Sequence, residues 1–354
     1  MTKNKRLLAF AAAFSMTLVI GGSATTTAAG TTDGQSADSA ADRGRGTSGP
    51  REVRATSIAQ VAPLDPPTPF GQVTVLEGPA FGPDGRLYFV DLTAPAGQPK
   101  ILRFDPRTKT TRPVYTDATS GFSSLQFSPV DGKIYVTDFH NGRIARLDAD
   151  GTGFTTVFSG TVAGRPMVPD DIAFDTSGAM YVADYQGSPW NRIGRVVRLD
   201  ADGGNPIVLQ DGLSAPNGIS FTPDFSGLWV SEYSLGHEDH FTLAPDHKSV
   251  VESRVAMTSD IGIHGFDSNS VDAAGNVYQV VIGSANILVW NKSGERIGTI
   301  VVPNRSRETQ LVSNVVIKPG TTQGYITVGG DTGGFIYEFR AFAQGIPQSN
   351  GGGA

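Results

Sequence analysis

The sequence predicts an all-β fold, a six-bladed β-propeller with four-stranded antiparallel blades around a central channel. Three observations predict it. Six segments share one pattern: AFGPDGRLYFVDL, QFSPVDGKIYVTDF, AFDTSGAMYVADY, SFTPDFSGLWVSEY, SVDAAGNVYQVV and VIKPGTTQGYITVGG. Each has an apolar anchor, a Gly-containing turn and an aromatic that opens an alternating β-rich run. The anchors Phe81, Phe127, Phe174, Phe221, Val271 and Ile317 recur at spacings of 46, 47, 47, 50 and 46 residues, the period of a propeller blade. Finally, no stretch has helical periodicity, and Gly makes up 44 of the 354 residues, above the ~7 per cent average, as many tight turns require.

The elements follow in chain order. Residues 1–29 read as a secretory signal peptide. Lys3, Lys5 and Arg6 form a basic start, Leu7 to Ile20 an apolar run, and Thr27-Ala28-Ala29 a small-residue cleavage zone. The apolar run is below the ~17–25 residues that span a bilayer. Residues 30–56 are rich in Gly, Ser, Thr, Ala and Asp and nearly free of aliphatic side chains. They cannot bury enough apolar surface to offset their ordering entropy and read as a disordered linker. The propeller is expected over 57–345, with residues 57–75 supplying the outer strand of the last blade, and 346–354 form a flexible tail. Most repeats continue into a second strand, as in ILRFDPRTK, GRIARLDADG, GRVVRLDADG, NILVWNKSG and GFIYEFRAF.

Composition excludes several functions. The net charge of −6 falls to −9 without the three cations of the signal, which argues against a nucleic-acid partner. There is no Cys, so disulfides, thiolate zinc sites, Cys nucleophiles and lipid attachment at a lipobox are all absent. The chain is expected to be secreted, with no membrane association after signal cleavage. Its oligomeric state is not legible.

The register of the repeat carries the functional information. Four residues before the anchors stand Glu77, Ser123, Asp170, Asn217, Asp267 and Ser313. In a propeller the first strand of each blade lines the channel, so these oxygen-bearing side chains form a ring around the axis. Three carboxylates brought together there repel unless a cation sits among them. A hard divalent ion with oxygen ligands meets that need, and Ca²⁺ suits a wide, flexible ring better than Mg²⁺. Zinc is disfavoured, since neither His nor Cys accompanies the acids.

The segments LEGPAF, PDDIAFD, APNGISF and FDSNSVDAAGNVY resemble the motifs of the SMP-30/gluconolactonase/LRE-like family, over about Val75 to Gly345 and most strongly from Asp170 onward. The resemblance implies a catalytic Ca²⁺ held by Glu77, Asp170, Asn217 and Asp267, with Ser268 as a further ligand as in calcium-dependent lactonases of that family. It also implies that Asp267 transfers the proton. A second, structural calcium of such lactonases is not expected, because SGTVAGRPMVPDD lacks the matching Asp and Tyr.

The expected function is therefore calcium-dependent hydrolysis of a small lactone. There is no G-x-S-x-G nucleophile elbow. The alternative is an exported, non-enzymatic binding propeller in which calcium only staples the axis. A quinone-cofactor sugar dehydrogenase would need a basic, His-lined pocket that the ring motifs lack. His140, His237, His240 and His247 read as solvated loop residues, and His264 as a loop residue that could face the channel mouth. Trp190 and Met167 lie in loops where they could shape a pocket or simply pack.

Overall fold

The computed structural model describes residues 49–67, 72–262, 264–303 and 311–347. The expected signal peptide, the expected linker up to residue 48 and the tail from residue 348 lie outside them. Among the described residues there is no helix, and so none long and apolar enough to cross a membrane.

Strands β1 (Arg51–Arg54) and β2 (Thr56–Ala62) precede the first full blade. Blade one is β3 (Leu76–Phe81), β4 (Leu87–Asp91), β5 (Pro99–Asp105) and β6 (Thr110–Thr116). Blade two is β7 (Phe122–Phe127), β8 (Ile134–Asp138), β9 (Arg143–Leu147) and β10 (Thr155–Ser159). A small hairpin of β11 (Thr161–Val162) and β12 (Arg165–Pro166) leads to blade three: β13 (Pro169–Phe174), β14 (Met180–Asp184), β15 (Gly194–Leu199) and β16 (Ile207–Leu213). Blade four is β17 (Pro216–Phe221), β18 (Gly227–Glu232), β19 (His237–Leu243) and β20 (Val250–Thr258). Blade five is β21 (Phe266–Val271), β22 (Val277–Val281), β23 (Asn286–Trp290) and β24 (Arg296–Val301). The last blade has β25 (Leu311–Ile317), β26 (Gln323–Gly329) and β27 (Gly334–Arg340), and β2 pairs antiparallel with β27 as its outer strand. Joining the two ends of the chain in one sheet closes the ring, and β25 packs against β3.

One boundary differs from the sequence reading. The linker expected through residue 56 ends sooner, because Arg51–Arg54 runs parallel to β24 as a fifth strand of blade five. The alternation of Val53 between charged neighbours lets it pack on that blade's core while Arg51, Glu52 and Arg54 stay outward, and composition averaged over 27 residues conceals so short a pattern.

The repeat is legible in the packing between blades. The aromatic that opens each second strand meets the anchor of the next blade. Tyr88 stands edge-on to Phe127 at 5.1 Å, Tyr135 to Phe174 at 5.2 Å, and Tyr181 to Phe221 at 4.8 Å between centroids. Tyr325 meets Phe81 across the closure at 5.4 Å. Such pairs contribute about 0.5–1.5 kcal/mol each beyond their area. Turn aspartates orient these rings, Asp84 accepting from Tyr88 Oη at 3.1 Å and Asp272 from Tyr278 Oη at 2.8 Å.

Every inner strand is interrupted near its start by a register shift, between Glu77/Ala80, Phe122/Ser124, Pro169/Ile172, Pro216/Ile219, Phe266/Asn269 and Val312/Asn314. A bulge re-aims side chains and bends the strand. In blade one it demands glycine: Gly78 has φ of +52°, and a Cβ there would lie 2.4 Å from the backbone nitrogen of Leu125. Gly78→Ala is expected to destabilise the protein by about 2–4 kcal/mol, from left-handed strain plus overpacking. An unchanged urea midpoint would remove this account of the bulge.

Candidate metal centre

The bulges put the six register residues at the mouth end of the inner strands. Glu77, Ser123, Asp170, Asn217, Asp267 and Ser313 line one axial cavity of about 20 Å³, room for an ion or one water. Asn217 Nδ2 donates to Asp170 Oδ2 at 2.9 Å, and Asn314 Nδ2 to Glu77 Oε2 at 3.5 Å. The two serines of the register tie neighbouring strands together. Ser123 Oγ donates to the carbonyls of Pro169 (3.1 Å) and Asp170 (3.3 Å), and Ser313 Oγ to that of Leu76. Ser268 lies one residue deeper, with its Oγ 3.5 Å from Asn217 Oδ1. Half-buried His264 does not line the cavity.

Beside the ring lies a second acid of blade three, Asp171, which the register count does not include. Asp171 is 3% exposed, and its Oδ2 accepts no hydrogen bond. Burial raises its pKa to about 6 against the opposing bonds from Ser124 and Ser268. Burial, followed by the charges of Asp267, Asp171 and Asp170, holds Glu77 well above the ordinary carboxylate range. Asp170 is pushed up by burial and then by Asp171 and Asp267, and Asp267 by burial and then by Asp171. Three acids, Glu77, Asp170 and Asp267, thus line a cavity that no Lys or Arg lines, and Asp171 is buried close enough to act on all three. Oxygen-only donors, an orphaned buried carboxylate oxygen and uncompensated repulsion fit a hard divalent cation such as Ca²⁺.

What holds the ring in place is a second set of repeated residues. The acids ending the second strands, Asp91, Asp138, Asp184 and Glu232, are buried. Asp138 accepts from the Gly121 amide at 3.2 Å, Asp184 from Val168 at 2.7 Å, and Glu232 from Ser214. In blade one Thr93 relays the contact, accepting from the Val75 amide at 2.9 Å and donating to Asp91 at 3.1 Å. Each amide so held lies two or three residues before a ring residue, so the acids clamp the strand starts that carry the ring. Three of these charges are compensated locally, by Arg143 on Asp138 (2.8 Å), Arg195 on Asp184 (2.7 Å) and Arg192 on Glu232 (2.8 Å), whereas burial and then the charge of Asp65 hold Asp91 well above the ordinary carboxylate range. The in-register YFVD, YVTD, YVAD and WVSE were the available sequence signal.

The residues after these four strand ends, Leu92, Phe139, Tyr185 and Tyr233, form an apolar collar above the ring with Ile282, which follows β22, and with Val75 and Leu311.

Three histidines expected in solvated loops are placed otherwise: His140 stays in a turn, but its Nε2 is buried without a hydrogen bond and burial lowers its pKa, and two others are in a strand. His237 and His240 lie in β19. His240 packs on Trp229 at 4.5 Å, and burial lowers its pKa. His237 Nε2 stands 3.1 Å from Glu232 and 3.5 Å from Asp239. Burial raises the Asp239 pKa to about 7, opposed by His237 and Arg192. Glu232, His237 and Asp239 bring their ligand atoms within 4.8 Å of one another, and unlike the axial ring this cluster has a cation of the chain against it, Arg192 on Glu232. Met167 is a core residue, whereas Trp190 is 90% exposed.

Comparison with known proteins places the chain in a family. A sequence model of the SMP-30/Gluconolactonase/LRE-like region matches residues 75–327. Lactonase drp35 of Staphylococcus saprophyticus is 31% identical over 230 residues, which cover 61% of this chain and 68% of that protein. Among solved structures, a luciferin-regenerating enzyme superposes with a TM-score of 0.66 at 17% identity, covering 84% of this chain and 99% of its own. Regucalcin of Agrobacterium tumefaciens, described as a calcium-binding protein, gives 0.64 at 15% identity, covering 83% and 98%. At these identities the two structures speak for the fold alone.

Proposed function

The chain belongs to the SMP-30/Gluconolactonase/LRE-like family, and on that premise we propose that it is an exported calcium-dependent hydrolase that opens small lactones. One observation carries the proposal: Glu77, Asp170 and Asp267 line, buried, an axial cavity that no Lys or Arg lines. The similarity to lactonase drp35 supplies the reaction class, and the basic-apolar start of the chain supports export.

Glu77, Asp170, Asn217, Asp267 and Ser268 would hold the ion. Calcium, when bound, supplies positive charge that polarises an ester carbonyl and offsets the carboxylates. Asp267 takes a proton from the attacking water and returns it to the ring oxygen as that oxygen leaves, so no proton is gained or lost over the reaction. Asn217 and Asn314 hold Asp170 and Glu77 in place through the amide bonds described above. The collar keeps bulk water off the ring. The cavity itself has room for an ion or one water, and a lactone would reach that ion past Tyr185 and Tyr233, which line it. So small a volume also suits the rival reading, a binding propeller with a merely structural ion.

A panel of lactones followed by pH indicator decides between them. Activity is expected to vanish with chelator and return with Ca²⁺. No turnover of any lactone by folded, calcium-loaded protein would leave the binding propeller.

A further inference from the structure

Six large hydrophobic side chains are exposed among the described residues, and three of them share one face. Trp190 (90% exposed), Leu235 (36%) and Ile261 (36%) lie on loops at the channel mouth, whereas Val130 is in the turn at the opposite end and Val251 and Val255 are on the outer strand β20. Trp190 follows the collar residue Tyr185 by five positions, Leu235 follows Tyr233 by two, and Ile261 leads into Asp267.

Contacts join these loops. Arg192, two residues after Trp190, reaches Glu232 at the end of β18 at 2.8 Å. The corner at Gly236 abuts the carbonyl of His264, which would lie 2.2 Å from a Cβ at Gly236. The three residues thus lie on the mouth loops of blades three to five, an arc on the same end of the propeller as the cavity wall of Val75, Leu92, Tyr185, Tyr233, Ile282 and Leu311. That wall offers only two phenolic hydroxyls to a ligand. A polyhydroxylated lactone would leave most of its hydroxyls unpaired against it, a loss that buried apolar surface cannot offset. An exposed apolar patch at the mouth of a site marks ligand contact.

We infer that the substrate is a lactone bearing an alkyl or aryl substituent, with the ester at the carboxylate ring and the apolar tail running out between Tyr185 and Tyr233 onto Trp190, Leu235 and Ile261. This rests on the lactonase reading for the ester and on the arc for the tail. Trp190 is then a specificity-determining residue.

The test uses five-membered lactones that are unsubstituted, butyl-substituted, octyl-substituted or polyhydroxylated. The kcat/KM is expected to rise about three- to fourfold per methylene over the first few carbons, with the polyhydroxylated lactone slowest. In Trp190→Ala the ratio of kcat/KM for the octyl over the unsubstituted lactone falls about tenfold. A second readout needs no turnover: titration with an octyl-substituted lactam, which is not hydrolysed. Trp229 and Trp290 are buried, so a saturable blue shift of the exposed tryptophan, lost in Trp190→Phe, reports the tail on the arc. Faster hydrolysis of the polyhydroxylated lactone, or no shift with the lactam, overturns the inference while leaving the lactonase reading in place. A saturable shift without hydrolysis of any lactone sinks the lactonase reading and keeps the apolar site. Absence of both sinks both.

Discussion

Asp267→Asn is expected to lower kcat for lactone hydrolysis by about 10³–10⁴-fold at saturating calcium, the scale of a lost proton-transfer group. The carboxamide has the same shape and can still offer an oxygen to the ion, so the fold and much of the metal affinity should survive. It cannot accept the proton of the attacking water. The residue sits at a bulge on the axis, and burial with the nearby Asp171 charge raises its affinity for a proton. The result separates from a structural effect because Ser123→Ala, which removes a tie between blades two and three, should lower stability by about 1 kcal/mol with a far smaller change in kcat. Comparable kcat for Asp267→Asn and wild type, with calcium bound in both, would assign proton transfer elsewhere.

Calcium removal should unbalance the protein in a pH-dependent way. Without an ion, Glu77, Asp170, Asp171 and Asp267 all have folded pKa values above their ordinary ones. The folded chain then binds protons that the unfolded chain has released. Stability is fully present below the ordinary values of 3.8 and 4.5 and is lost as pH rises through the folded values, with Asp171 titrating at about 6. Chelated protein should therefore lose thermal stability between pH 4.5 and 8. Calcium requires the ionised carboxylates, so its stabilisation runs the other way and grows over the same range. At a hundredfold excess over its dissociation constant the ion contributes about 2.7 kcal/mol, or roughly 5–10 °C in Tm, at pH 8 and much less at pH 4.5. Thermal melts with and without chelator at both pH values measure it. Equal calcium shifts at both would mean that these acids are not the ligands.

Much of this was open to inspection in the linear sequence. Apolar anchors at a near-constant spacing and alternating strands imply a blade wherever they recur, because each sheet must bury both faces against its neighbours. Counting back from the anchors brought Glu77, Asp170, Asn217 and Asp267 to the axis, since strand periodicity is local. Asp171 escaped that count. It does not line the cavity with Asp170, and its effect on Glu77, Asp170 and Asp267 is set only when the blades pack around the axis. The histidines of β19 were misread because HEDHFTL has the polarity of a loop. Buried partners such as Trp229 for His240 and Glu232 for His237 make that polarity tolerable in a strand.

By itself, then, the sequence determined the six-fold repeat and the oxygen-bearing residues of its register, because both depend on intervals along one chain. The tertiary structure alone decided which acids remain uncompensated. Arg143, Arg195 and Arg192 neutralise Asp138, Asp184 and Glu232 from neighbouring strands and loops, while the axial carboxylates Glu77, Asp170 and Asp267 line a cavity without a Lys or Arg. The strength of a charge interaction depends on distance and burial in three dimensions, and sequence separation does not encode either. The same holds for the collar and the arc of Trp190, Leu235 and Ile261, whose members come together only when the ring closes.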